Sequence, residues 1–200
     1  MLFFGKGKNY EKRKDWCSPF ESEKQVIENL LNNCDGKYAI EIGSFYGNTT
    51  ARLATICEKK NIILFVIDPW IYANSYYIYK QNIKSFNCIN TIKKTSKKAL
   101  KEIKPIVNQK CGFIFIDGDH SYQTVKFDLE NYFPLLLKNG VIISHDIYFS
   151  TDVKKAFDEF SKDKNYKTFK YEPTKDESLR HHPPEWSHAN LMGLGWIFKD

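Results

Sequence analysis

Two short polar clusters hold most of the chemistry this sequence offers, Asp117-Gly118-Asp119-His120 and His145-Asp146. Each joins carboxylates, which bind hard cations and accept protons, to an imidazole that titrates near neutrality. Each also follows an apolar run too short for a helix and rich in Ile, Val and Phe, Phe113–Ile116 and Val141–Ser144. Between them Val125, Leu129, Tyr132, Phe133, Leu136 and Leu137 recur at helical spacing, and Lys138-Asn139-Gly140 is expected to end that helix with a basic last turn and a left-handed glycine cap. Strand, helix, strand with both strands continuously apolar is a βαβ unit of a parallel sheet covered on both faces. Ligands of such sheets lie beyond the carboxyl ends of the strands, where both clusters fall.

The elements upstream must position a partner for those clusters. Lys37 to Ala54 reads as a first strand, a glycine turn and a helix starting near Asn48 or Thr49. Gly43 and Gly47 let the backbone turn sharply and approach a ligand, and the helix behind them offers free N–H groups. Glu41 sets a carboxylate under this loop. That carboxylate repels a pyrophosphate and attracts an ammonium group, so the E-x-G-x-x-x-G spacing suits a zwitterionic amino-acid ligand better than a dinucleotide; an ordinary strand–helix turn is the alternative. Asn61 to Ile67 is the second strand and ends in Asp68-Pro69-Trp70. An acid at Asp68 stands where nucleotide-binding βαβ units take ribose hydroxyls, although Asp before Pro also forms plain turns.

The remaining segments complete one α/β domain. Ser18-Pro19 and Glu21 open a helix with Phe20, Val26, Ile27, Leu30 and Leu31 on its buried stripe, closed by Asp35-Gly36. Tyr72–Ser85 reads as an aromatic core helix, and Cys88–Ile92 as a third strand beside any purine bound at Asp68. Thr95-Ser96 then caps a lysine-rich helix. Thr151–Lys162 is helical with Val153, Ala156, Phe157 and Phe160 inward; Tyr166–Tyr171 alternates as a strand, 172–190 is a loop carrying His181, His182 and His188, and Leu191–Phe198 is a last strand. The domain expected over 1–200 divides into a loose arm at 1–17, a ligand-binding core at 37–149, and a C-terminal helix with closing strands at 150–200.

Thirty basic against 24 acidic side chains give a net charge of +6, carried by lysine, since Arg13, Arg52 and Arg180 are the only arginines. Lysines 93, 94, 97, 98, 101 and 104 read as a solvated helix face, and scarce arginine weighs against nucleic acid, which favours its planar fork. No apolar run reaches the roughly 18 residues of a membrane span, and the start lacks a signal-peptide core and cleavage site. Cysteines 17, 34, 57, 88 and 111 stand singly, with no C-x-x-C pair, as free thiols of a reducing compartment; the expected location is the cytoplasm.

EIGSFYGNTT, VIDPW, FIFIDGDHSY and GVIISHDI, in this order and spacing, resemble class I S-adenosylmethionine-dependent methyltransferases, in particular the small single-domain branch of caffeoyl-CoA-type and macrocin-type O-methyltransferases. The resemblance covers residues 37–149 and, more loosely, the tail. It implies a Rossmann-like, doubly wound, mainly parallel seven-stranded sheet with an antiparallel last strand and helices on both faces. It implies S-adenosyl-L-methionine as cofactor: Gly43, Ser44 and Gly47 around its methionine part with Glu41 beneath, Asp68 on the ribose with Trp70 packing nearby, and Thr95 and Ser96 near the adenine. Asp117, Asp119 and His120 would bridge cofactor and acceptor, with His145 and Asp146 facing the acceptor.

Removal of the acceptor's proton has two routes. The related O-methyltransferases use a divalent metal, Mg or Mn, held by carboxylates after the fourth and fifth strands; Asp117 and Asp146 match those positions. The caffeoyl-CoA-type pattern carries Asn next, where this chain has Ile147, so His145 is expected to complete the set and to favour Mn, Fe or Zn over Mg. Without metal, His120 or His145 would be the general base, and either histidine also suits a purely structural hydrogen bond. Ile147 argues against chelated catechols and leaves a small-molecule or glycan hydroxyl as acceptor. A homodimer stays open; no membrane partner is expected. Runners-up are an RNA ribose methyltransferase and a non-catalytic nucleoside-binding module. The D/N-P-P-Y/F element of base-amine methyltransferases is missing, as is the G-x-G-x-x-G of dinucleotide oxidoreductases.

Overall fold

The computed structural model describes residues 19–174 and 192–200. The expected arm at 1–17 and most of the 172–190 loop, including His181, His182 and His188, lie outside the described residues.

Among the described residues, seven strands form one sheet in the order β3-β2-β1-β4-β5-β7-β6. They are β1 (Tyr38–Ile42), β2 (Ile63–Ile67), β3 (Ile89–Ile92), β4 (Cys111–Ile116), β5 (Leu136–His145), β6 (Thr168–Tyr171) and β7 (Leu194–Phe198). β1 to β5 pair in parallel, and β7 runs antiparallel to β5 on one side and β6 on the other, so it is the reversed strand among those described, as expected. The central strands β1 and β4 are buried along their whole length. Their side chains alternate between two cores. Ile40, Ile42, Ile114 and Ile116 meet α4 (Ser96–Val107), α5 (Tyr122–Tyr132) and α6 (Thr151–Asp163) through Ile103, Leu129 and Phe157. Ala39, Phe113 and Phe115 meet α1 (Glu21–Asn32), α2 (Asn48–Lys60) and α3 (Ser75–Ile83) through Leu31, Leu53 and Tyr79. Truncating a fully buried ring such as Phe115 to alanine costs about 3–5 kcal/mol.

The helix before β5 ends earlier than its apolar spacing suggests. α5 stops at Tyr132, a 3-10 turn covers Phe133–Leu135, and the strand starts at Leu136. Pro134 lacks the N–H that the next helical hydrogen bond requires. Leu136 and Leu137 are therefore strand residues, and Lys138-Asn139-Gly140 lies inside β5 rather than capping a helix. Asn139, not Gly140, takes the positive φ of 64° and donates its N–H to Lys199 O at 2.7 Å. The expected 72–85 helix is trimmed to α3, whose Tyr79 is fully buried with its hydroxyl 2.8 Å from Thr91 Oγ1.

Candidate active site

β1, β2, β4 and β5 end at the same edge of the sheet, and the turns that follow them interlock. Gly43 has φ +85°, and a Cβ there would stand 2.1 Å from the carbonyl oxygen of Asp117, so the turns after β1 and β4 touch through bare backbone. Gly47, at φ +80°, starts α2. Asp68 holds the loop between these glycines: Oδ2 accepts from the N–H groups of Ser44 and Phe45 at 2.9 Å each, and Oδ1 from that of Trp70 at 2.6 Å. The Trp70 indole donates to Phe45 O at 2.8 Å. Phe45 and Trp70 both carry positive φ, 49° and 45°, a strained state that this network imposes.

Beneath the loop Glu41 is fully buried. Its Oε2 accepts from Thr50 Oγ1 at 2.5 Å, so the Ser44 hydroxyl, 2.8 Å from Thr50 Oγ1, donates in turn. Glu41 Oε1 meets no partner among the described residues. Burial lifts its pKa to about 8, against the opposing Thr50 bond. A buried acid with an oxygen unpartnered among the described residues, set beside the positive N-terminal end of α2, forms a setting that fits an ammonium and a carboxylate of one small ligand.

The second half of the site lies at the ends of β4 and β5. Asp117, His120 and Asp146 each bring one ligand atom within 4.8 Å of the other two, close enough together to be shared by one cation. His120 Nε2 is 2.9 Å from Asp146 Oδ2, and the ring is half-buried. Asp146 has φ +61°, and its Oδ1 is buried with no partner among the described residues. A strained carboxylate with an idle oxygen fits a divalent ion.

Residues 40–147, more than half of the chain, match the sequence family described as a methyltransferase domain. The chain belongs to that family. This methyltransferase is 29% identical over 184 residues to the uncharacterised protein R132 of Acanthamoeba polyphaga mimivirus, covering 87% of this chain and 81% of that one. Its fold is that of the O-methyltransferase of Bacillus cereus solved with S-adenosylhomocysteine (TM-score 0.71, 14% identity, 96% of this chain and 87% of that chain). It also resembles TomG of Streptomyces achromogenes, an O-methyltransferase of tomaymycin synthesis solved with S-adenosylmethionine (TM-score 0.69, 9% identity, 96% and 85%). A third likeness is a structure from Staphylococcus aureus described as a caffeoyl-CoA O-methyltransferase by assignment only (TM-score 0.67, 19% identity, 97% and 93%).

In this methyltransferase the other expected site residues fall as follows. Asp119 is exposed and turned to its own helix start, accepting from Ser121 N–H at 3.0 Å, Ser121 Oγ at 3.1 Å and Thr124 Oγ1 at 3.0 Å. Thr95 and Ser96 stand at the N-terminal end of α4, and Ser96 O accepts from the Tyr132 hydroxyl at 2.8 Å. His145 sits behind the cation cluster with both ring nitrogens facing carboxylates: Nδ1 is 3.0 Å from Asp117 Oδ1 and 3.4 Å from Asp146 Oδ2, and Nε2 is 3.3 Å from Glu23 Oε2. Burial opposes its charge, but Asp146, Asp117 and Glu23 together raise its pKa well above the ordinary histidine value. The three-residue cluster therefore takes its imidazole from His120 rather than from His145. Glu23 is the participant that sequence reasoning missed; its one signal was Phe20-x-x-Glu23, since Glu23 accepts the Phe20 N–H at 2.7 Å as a capping-box glutamate does.

Proposed function

We propose that this chain, as one methyltransferase domain, transfers a methyl group from S-adenosylmethionine to a hydroxyl of a small molecule or glycan, with Asp117, His120 and Asp146 holding a divalent metal. The observation that carries this reading is the convergence of those three ligand atoms within 4.8 Å at the strand ends, beside the glycine loop. Bound S-adenosylmethionine supplies an electrophilic methyl on a sulfonium, and a bound divalent ion supplies the Lewis acidity that lowers a hydroxyl's pKa. The chain's own tasks are holding, aligning and keeping water out. Glu41, Gly43, Ser44, Gly47 and the first turn of α2 take the amino-acid portion. Asp68 accepts three main-chain bonds already, which leaves about one of its lone-pair sites for a ribose hydroxyl. Trp70 braces the loop from below, and Thr95 and Ser96 serve the adenine side.

The donor set of two carboxylates and one imidazole suits Mn, Fe or Zn better than Mg. One observation favours a second route. The half-buried His120 is backed by the Asp146 carboxylate, whose hydrogen bond raises the His120 pKa, so the pair is also arranged as a general base. His145, enclosed by carboxylates, is left a supporting role in either route.

Calorimetric titration with S-adenosylmethionine, first with EDTA and then with Mn2+, tests the reading. Micromolar cofactor binding and a further Mn2+ heat that disappears in Asp146→Ala are expected. Cofactor binding without a Mn2+ effect moves the proton to His120. No cofactor binding overturns the reading.

A further inference from the structure

Helix α1 delivers a carboxylate to the back of the reaction centre from 122 residues away in sequence. Glu23 is fully buried and surrounded by donors. Oε2 accepts from Phe20 N–H at 2.7 Å, Oε1 accepts from Gly193 N–H at 2.7 Å, and Oε2 faces His145 Nε2 at 3.3 Å. On the far side of the same ring, Nδ1 reaches Asp117 Oδ1 at 3.0 Å. The result is a relay, carboxylate to imidazole to carboxylate, that ends on a member of the candidate cation cluster. A ring held at both nitrogens cannot flip without presenting C–H to two carboxylates. Its orientation therefore fixes Asp117 through Oδ1, and Asp117 is one of the three residues of the candidate cation cluster. Histidines and carboxylates just behind a metal orient its ligands in this way, and removing one typically weakens metal binding by about 10–100-fold.

We propose that Glu23 is a positioning residue of this centre, acting through His145 to fix the Asp117 carboxylate, an assignment that rests on the metal reading above. The cap of α1 and the turn at Gly193 use both Glu23 oxygens as acceptors, and the contact of Oε2 with His145 Nε2 at 3.3 Å is the one that leads on to Asp117.

The test is a double-mutant cycle read by Mn2+ affinity. Wild type, Glu23→Gln, His145→Gln and the double variant are each saturated with S-adenosylhomocysteine and titrated with Mn2+ below every Tm. Glu23→Gln also weakens one main-chain contact, so its Tm falls, and the cycle separates that effect from the relay. The expected result is a loss of about 10–100-fold in Mn2+ affinity for Glu23→Gln in the wild-type background, nearly absent once His145 is replaced, with S-adenosylhomocysteine affinity retained throughout. Equal losses in both backgrounds, or no loss, overturn the positioning role alone. Wild type that binds S-adenosylhomocysteine but no Mn2+ overturns the metal reading and this role together.

Discussion

Thr50 donates to Glu41 at 2.5 Å under the glycine loop, while the second oxygen of Glu41 faces nothing among the described residues. With burial lifting its pKa to about 8, Glu41 carries a proton at pH 7 before any ligand arrives. An ammonium group brought beside it favours the ionised form and drives the proton out. Binding of S-adenosylmethionine at pH 7 is therefore expected to release close to one proton. Titrations in phosphate and in Tris, whose ionisation heats differ, read that proton directly. Glu41→Gln should abolish the difference between the buffers, and identical heats for the wild type would show that Glu41 keeps its charge state.

Asp128 gives a stability prediction of definite sign. It is buried on α5 with Oδ1 unpartnered among the described residues, and burial raises its pKa to about 7 against a hydrogen bond to Ser96. The folded value lies above the unfolded one, so the stability it confers is complete below about pH 4 and is lost as pH rises through about 7. Asp128→Asn should be more stable than wild type at pH 8 by about 2–4 kcal/mol and no more stable at pH 4. Urea unfolding at the two pH values measures both differences.

Two neighbouring glycines should respond oppositely to alanine. Gly43 combines φ +85° with a Cβ position 2.1 Å from main-chain oxygen, which no rotamer can relieve. Gly43→Ala is expected to cost more than about 3 kcal/mol and to abolish cofactor binding. At Gly118 the nearest atom to a Cβ is 3.6 Å away, an ordinary contact, and Gly118→Ala should cost less than about 1 kcal/mol. Thermal unfolding with a cofactor titration separates the two.

Asp68→Ala removes the acceptor of three main-chain N–H groups at once. Faster amide hydrogen exchange is expected at Ser44, Phe45 and Trp70, together with an affinity for S-adenosylmethionine lower by about 10–100-fold, the equivalent of one or two charge-assisted hydrogen bonds. Weaker binding with unchanged exchange at those amides would make Asp68 a ligand contact only.

Much of this architecture is written in local pattern. The runs at 113–116 and 141–144 and the glycines at 43 and 47 place the strands, turns and polar edge, because short continuous apolar stretches bounded by polar clusters have few other solutions. Pro134 shows where pattern misleads: Leu136 and Leu137 keep helical spacing, yet one missing N–H hands them to β5. The site is less legible than the sheet. Asp119 looks equivalent to Asp117 in DGDH, but the turn sends it to Ser121 and Thr124. His145 adjoins Asp146 in sequence, yet the strand points its ring inward to Glu23 while Asp146, at positive φ, swings towards His120. Glu23 itself sits in a helix start, between Ser22 and Lys24, where an acid is ordinary; its partner is fixed only by tertiary packing.

The position of β7 orders events in time. Among the described residues, β6 has no sheet neighbour except β7, which follows it in the chain yet lies inside it in the sheet. During synthesis, at about 5–20 residues per second, Thr168–Tyr171 therefore waits roughly one to five seconds for Leu194–Phe198, its partner strand among the described residues. Because Gly193 also closes the Glu23 cage, the five parallel strands can assemble on the ribosome before that cage does, and the newborn chain acquires its framework first and the last donor to Glu23 afterwards.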